Sequence, residues 1–344
     1  MKSLISYFEF AIEQHASDIH LVAGEVPAVR INGELKAIKD EPLSDKSLQT
    51  SVFGLLTDEQ KKRYQDDLEL DFAYQMDSTR FRINLHQQQG MMGLTARIIP
   101  SKIPTPEALR FEPALYDFST MLDGLVLVVG PTGSGKSTTI ASMIQSINMS
   151  RKAHIVTVED PIEFLFTDDQ CLIEQREIGV DTHSFAASLK HVLRQDPDII
   201  LVGEMRDPET IATVLTAAET GHLVFSTLHT SSAAEAVGRI VDVFEGSKQK
   251  QILVQLSSVL RGVVAQQLLP TVDGKRVVAR EVLVNTPAVS NLIRENNIAQ
   301  IASAMQTGAK DGMVTMEQSV KTLVKEDLID KEVAERRIGK LRHV

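Results

Sequence analysis

Gly130-Pro131-Thr132-Gly133-Ser134-Gly135-Lys136-Ser137 matches the phosphate-loop pattern G-x-x-x-x-G-K-[ST] at every fixed position. The run before it, Leu125-Val126-Leu127-Val128-Val129, is short, apolar and β-branched, as a buried parallel strand should be. After it, from Thr138 to Asn148, Ile140, Met143, Ile144 and Ile147 recur at helical spacing. Strand, glycine loop and helix start therefore follow one another, which an accidental glycine turn would not give. The glycines let backbone N–H groups approach phosphate oxygens, and the helix N-terminus adds a partial positive charge. Lys136 can reach the β- and γ-phosphates, the Ser137 hydroxyl can ligate Mg²⁺, and Thr138 extends the set into the helix. ATP and Mg²⁺ are the cofactors this stretch predicts.

The 344 residues suggest two domains, at about 100–200 residues each. Apolar residues make up 43%, enough for packed cores. The net charge of −10 leaves no overall basic footprint, which argues against a RecA-like nucleic-acid motor, although a local basic channel stays open. Cys171 is the one cysteine, so an internal disulfide and a C-x-x-C zinc site are excluded. No apolar stretch approaches the length of about 18 residues that spans a membrane. Glu9 interrupts the first apolar run, so it does not read as a signal peptide. The expectation is a soluble cytoplasmic chain with no transmembrane segment, free to dock on a membrane protein.

Residues 1–100 read as an α+β domain. Leu4, Ile5, Phe8 and Ile12 predict a helix, broken at Ala16-Ser17-Asp18. Ile19–Val22 and Ala28–Ile31 alternate as strands, and Asn32-Gly33 signals a hairpin turn. A second helical stretch runs from Leu43-Ser44 through Leu56. Asp71–Tyr74, Phe81–Leu85 and Leu94–Ile99 read as further strands. Arg80, Arg82 and Arg97 alternate with apolar neighbours, a pattern that by itself gives one wet sheet face. Pro100, Pro104, Pro106 and Pro113 mark residues 101–117 as a linker. From Phe118, residues 118–344 alternate strands and helices, which predicts a parallel sheet covered by helices.

Three strand ends in this second part carry chemistry. His154–Val158 ends in Glu159-Asp160-Pro161-Ile162-Glu163, at the strand end where open α/β sheets bind ligands. These carboxylates either orient Mg²⁺ and water or form a solvated acidic turn. Ile199–Val202 ends in Gly203-Glu204, as a Walker-B element does, and Glu204 can accept a proton from an attacking water. Leu223–Leu228 is flanked by His222 and His229. His229, at the carboxyl end, would lie close to the phosphates, where a neutral imidazole can orient water or sense the γ-phosphate. A lone packed or surface histidine is the alternative. From Gln249 the pattern is mainly helical, with Ile252, Leu256, Val259, Leu260, Val263 and Val264 as one apolar stripe. Val277–Val284 reads as a strand, and the tail from Lys331 is charged and basic.

Together these motifs resemble the PilT-type retraction ATPases of type IV pili, within the secretion-ATPase superfamily. Ala16–Leu21 is similar to the family's A-S-D-[LI]-H-L signature, and Thr157–Glu163 to its aspartate box. Asp196–Asp207 resembles its Walker-B segment and Glu219–Thr230 its histidine box, with Ser226 in place of a usual glycine. Ala288–Glu295, A-V-S-N-L-I-R-E, is similar to the retraction motif A-I-R-N-L-I-R-E, with Ser290 at a position usually held by a longer residue. The resemblance implies an α/β fold: a RecA-like P-loop NTPase core with a smaller N-terminal PAS-like α+β domain and the active site between the two. It implies Glu204 as the catalytic glutamate, and Glu163 with Glu159 and Asp160 for metal and water. It gives His222 and His229 the coupling of hydrolysis to movement, and lets Arg80, Arg82 and Arg97 supply charge to the triphosphate. It further implies a homohexameric ring at the inner face of the cytoplasmic membrane, working on an inner-membrane pilus platform protein. Assembly and type II secretion ATPases of the superfamily usually carry a longer N-terminal region and often a four-cysteine zinc element, and this chain shows neither. Ala288, Val289, Leu292 and Ile293 would form one face of a helix, and Asn291, Arg294 and Glu295 the other.

Overall fold

The computed structural model describes residues 3–31, 33–77, 79–99 and 102–341. The chain divides into two compact units at Lys102/Ile103.

In the first unit, α1 (Leu4–Glu13) begins where Ser3 accepts the Ser6 N–H, and it buries Leu4, Tyr7, Phe8 and Ala11. The strands β1 (Asp18–Val22), β2 (Ala28–Ile31) and β3 (Glu34–Ala37) follow. Of the Asn32-Gly33 turn, Gly33 has the left-handed φ of 86° such a turn needs, and Asn32 lies outside the described residues. The second helical stretch is α2 (Asp45–Phe53), capped by Ser44. A further helix, α3 (Asp58–Asp67), has no apolar stripe to betray it. It buries only Tyr64 and is held by a capping box between Thr57 and Gln60. Three long strands complete the unit: β4 (Glu69–Met76), β5 (Thr79–Gln88) and β6 (Met91–Ile99). The sheet is antiparallel throughout, in the order β3-β2-β1-β6-β5-β4. Phe81, Ile83 and Leu85 of β5 are buried, so Arg80 and Arg82 take the other face. Arg82 stands directly opposite Arg97 of β6, which puts the three arginines on one face. Arg97 Nε donates to Asp18 Oδ1 at 2.9 Å.

The proline-rich stretch from Ile103 is counted with the second unit and is not a free linker. Pro106 accepts the Phe111 N–H, and Pro113 occupies the first turn of α4 (Pro113–Thr120), where a missing N–H costs nothing. Pro100 and Ser101 lie outside the described residues. Then come β7 (Gly124–Val129), α5 (Lys136–Ser150), β8 (His154–Glu159), β9 (Leu172–Glu177), α6 (Phe185–Val192) and β10 (Ile199–Val202). They are followed by α7 (Pro208–Glu219), β11 (Leu223–Leu228), α8 (Ala233–Asp242), α9 (Ser247–Val259), β12 (Leu260–Pro270) and β13 (Arg276–Val284). The chain ends in α10 (Pro287–Arg294), α11 (Ile301–Thr307), α12 (Met316–Lys325) and α13 (Lys331–Leu341). The sheet order is β13-β12-β7-β11-β10-β8-β9, parallel except for β13. Every residue of β7, β10 and β11 is buried, as continuous apolar runs demand.

Two expectations are corrected here. The stripe from Ile252 to Val264 is not one helix. α9 ends at Val259, and Leu260, Val263 and Val264 belong to β12, which pairs with the core strand β7. Gly262 forces the tight approach there, because a Cβ would lie 2.0 Å from the Phe118 ring and 2.8 Å from Leu283 O. In α10, Val289 and Ile293 are buried and Leu292 is partly buried, but Ala288 is exposed. Ser290 turns inward instead and donates to Ser257 O at 2.7 Å.

Candidate nucleotide site

Parallel register gathers the strand ends. Val129 lies opposite Leu228, Val202 opposite Ser226, and Val202 opposite Val158. The segments that leave β7, β8, β10 and β11 therefore emerge at one edge of the sheet, where ligands of open α/β sheets bind.

The loop after β7 wraps the start of α5. Gly130, Gly133 and Gly135 have φ of 149°, 76° and 87°. At Gly130 a side chain is excluded twice over, since a Cβ would sit 2.4 Å from Gln266 O and 2.7 Å from Ser134 Oγ. Pro131 and Thr132 form the exposed rim, while Ser134 and Lys136 are buried and Ser137 and Thr138 are half-buried at the helix start. Lys136 Nζ donates to Gly130 O at 2.8 Å and to Pro131 O at 3.2 Å. Burial holds its pKa below the ordinary lysine value, and the carboxylates of Glu163 and Glu204 oppose that shift. Glu163 and Glu204 are thus each within electrostatic reach of Lys136. The N–H groups of Gly133, Gly135, Lys136, Ser137 and Thr138 meet no carbonyl acceptor among the described residues. Converging unpaired amides at a helix N-terminus, with an ammonium beside them, suit a phosphate chain.

Glu204 is held between Arg206 and His229. Its Oε1 lies 2.6 Å from Arg206 Nη2 and its Oε2 3.4 Å from His229 Nε2. The carboxylate is 13% exposed, against 48% for the His229 side chain. Threonine and serine hydroxyls of β11 fix the backbone under it: Ser226 donates to Val202 O at 2.8 Å and Thr227 to Gly203 O at 2.6 Å. Ser226 thus has a structural use where the family usually has glycine. His222 is not brought to this edge. It sits at the opposite end of β11, roughly 20 Å away along the strand, with Nδ1 2.9 Å from Ala217 O.

The acidic turn divides by burial. Asp160 and Glu163 are exposed, whereas Glu159 is buried and accepts from Thr157 Oγ1 at 2.7 Å and Gln175 Nε2 at 3.3 Å. Glu159 is turned inward, where it also takes a backbone bond from Glu163. Among the described residues no three His, Cys, Asp or Glu side chains are placed to hold a metal ion. Glu177 supports the same turn from below, its Oε2 accepting the Ile162 N–H at 3.1 Å.

Two residues of the site escape a reading of the sequence. Arg206 lies two positions after Glu204, in E-M-R-D, where a cation so close to the acid was the available signal. Gln266, on β12, is 1% exposed and clamps the loop. Its Nε2 donates to Ser134 O at 2.8 Å and its Oε1 accepts from Thr139 Oγ1 at 2.9 Å. Beside it, a cavity of about 550 Å³ is walled by Leu109, Thr138, Leu268, Arg276, Val278 and Arg280.

A family model described as Type II/IV secretion system protein matches residues 1–340. The type IV pilus retraction ATPase PilT of Pseudomonas aeruginosa is 46% identical over 326 residues, covering 94% of this chain and 95% of that one. A twitching motility protein of Neisseria gonorrhoeae is also 46% identical, covering 97% of this chain and 90% of its own. The crystal structure of a pilus retraction motor PilT with bound ADP superposes with a TM-score of 0.92 at 43% identity, over 98% of this chain and 97% of that one.

Burial raises Glu159 from the ordinary 4.5 to about 7. The folded protein therefore keeps a proton that the unfolded chain has lost in this window. The stability it contributes is full below about pH 4.5 and is lost as pH rises through about 7. Glu159→Gln is expected to flatten the fall in thermal midpoint between about pH 5 and about pH 8. An unchanged slope in the variant would contradict this assignment.

Proposed function

The chain belongs to the Type II/IV secretion system protein family, among its PilT-type pilus retraction ATPases, and from that premise we propose that it hydrolyses ATP as a homohexameric ring to drive type IV pilus retraction. The observation that carries this reading is the convergence of Lys136, Glu163 and Glu204 on a glycine loop with unpaired amides. ATP is bound with its phosphates on the amides of Gly133, Gly135, Lys136, Ser137 and Thr138 and on the Lys136 ammonium, as the ADP bound to the similar retraction motor supports. The adjoining cavity takes the base and ribose between Leu109, Leu268 and Val278. Ser137 would hold Mg²⁺, with Asp160 and Glu163 reaching it through water; the ion neutralises charge on the phosphates. Glu204 accepts the proton of the attacking water, oriented by Arg206 and His229. The arginine face of the first unit, Arg80, Arg82 and Arg97, supplies positive charge to the triphosphate. His222, remote from Glu204 in its own chain, couples hydrolysis to movement.

In cells we place the ring in the cytoplasm, against the inner face of the cytoplasmic membrane, where an inner-membrane platform protein of the pilus is its partner. Among the described residues no helix is long and apolar enough to cross a membrane. The exposed side of α10, with Asn291, Arg294 and Glu295, is the docking face. Its apolar side packs on the core, and it contains none of the loop's binding residues.

Glu204→Gln is expected to keep binding a fluorescent ATP analogue while phosphate release drops by about 10²–10⁴-fold. Survival of both would reduce Glu204 to a structural acid. Asn291→Ala combined with Arg294→Ala is expected to leave ATP hydrolysis within about twofold, the scatter of a surface change, and to abolish pilus retraction in cells. Equal loss of hydrolysis and retraction would make α10 a mere support of the fold.

A further inference from the structure

Glu281 sits in the middle of β13, between the buried residues Arg280 and Val282. Arg280 stands directly opposite Gln266 of β12 and shares its face of the sheet. Glu281 therefore points to the other face. There its Oε1 accepts the Ala233 N–H at 2.9 Å, and the carboxylate takes a second backbone bond from Met316. Ala233 and Met316 are the first residues of α8 and α12, after the capping residues Ser232 and Thr315. A backbone bridge between Val282 and Val314 brings the start of α12 to this point. Burial raises the pKa of Glu281, while the two amides and the charge of Arg337 on α13 act against that rise.

A carboxylate inside an apolar strand is costly, and an apolar side chain would serve packing better. What the acid adds is a reach to two helix starts, where N–H groups lack intrahelical partners and the dipole favours negative charge. One of those helices begins close to the catalytic edge. β11 ends at Leu228, His229 Nε2 stands 3.4 Å from Glu204 Oε2, and α8 starts at Ala233. Within that connection Ser231 donates its N–H and its hydroxyl to Glu235 Oε2, and Ser232 Oγ accepts the Glu235 N–H. These bonds stay inside the cap of α8 and move with it. Among the described residues, the bond from Ala233 to Glu281 is the one that ties residues 230–233 to another element. The apolar side of α8 packs on the core, but apolar contacts have no direction and a hydrogen bond does.

We propose that Glu281 is a positioning residue for ATP hydrolysis: by holding the first amide of α8, it sets where His229 stands against Glu204. A side chain that works on a reacting water needs its placement held to about 0.5 Å by bonds from behind, and Glu281 supplies such a bond. This rests on the roles given above to Glu204 and His229 and extends them to β13. The same carboxylate holds the first turn of α12, so His229 and the C-terminal helices share one anchor.

Hydrolysis kinetics on the full chain test it, with phosphate release read in single turnover where rates are low. Glu281→Ala is expected to lower kcat about 10²-fold, as a misplacement of about 1 Å does, and to leave KM for ATP within about twofold. The phosphate loop and its Gln266 clamp are untouched by the change. In a His229→Ala background the same substitution is expected to cost no further activity, since a residue that acts only through His229 has nothing left to place. Should Glu281→Ala not fold, Glu281→Asp keeps the charge and withdraws the oxygens, and it carries the same cycle with an expected loss of about tenfold in kcat. Equal losses in both backgrounds, a raised KM in place of a lowered kcat, or a parental kcat in the folded variant would overturn the inference. A His229→Ala chain that hydrolyses ATP at the parental rate would sink the role given to His229 itself, and the inference with it.

Discussion

Parallel pairing of β7 with β11, of β11 with β10 and of β10 with β8 is the constraint on which the rest depends. Parallel strands put all their carboxyl ends on one edge, so four separate loops must meet there. Each strand is buried and changes character at that edge: Val129 gives way to Gly130, Val202 to Gly203-Glu204, Leu228 to His229. A slip of one residue in any pair would turn buried faces outward and also move its catalytic end out of range. Packing and chemistry are therefore enforced by the same hydrogen bonds. The hydroxyls of Ser226 and Thr227 strengthen the register where it matters, by tying β11 to the backbone of Val202 and Gly203.

At that edge the charges are balanced in pairs. Lys136 is buried among carbonyls and faces Glu163 and Glu204. Glu204 in turn lies between Arg206 and His229. Glu159 and Glu177 stand behind the acidic turn, spending their oxygens on its backbone and on Thr157 and Gln175. Some of its carboxylates build the turn, and Glu163 is the one presented to the loop.

Much of this is legible in the sequence because glycine geometry and continuous apolar runs are local signals. The phosphate loop, the buried strands β7, β10 and β11, and the acid at Glu204 follow from them. The remainder depends on partners distant in sequence. Leu260, Val263 and Val264 continue a helical spacing, yet they become strand because β7 offers an unpaired edge. The hydrophilic β9 and the polar α3 lack any apolar periodicity and are stabilised by an adjoining strand and by a capping box. Gln266 looks like an interruption of an apolar run, and its role appears only when β12 lies beside the phosphate loop. The prolines suggest a linker over residues 101–117, but Arg280 anchors the stretch at Leu109 and Glu112 to the second unit from far along the chain. Glu159 and Glu163 share one short motif, and only burial tells the bracing acid from the presented one.

The central claim is that the loop at Gly130–Ser137 binds and turns over ATP through Lys136. Phosphate release with Mg²⁺ and ATP, measured per chain on the unaltered protein and on Lys136→Ala, tests it most directly. Steady turnover by the parent and none by the variant, with weakened ATP binding, is the result this account predicts. A variant that hydrolyses ATP at the parent's rate would contradict it.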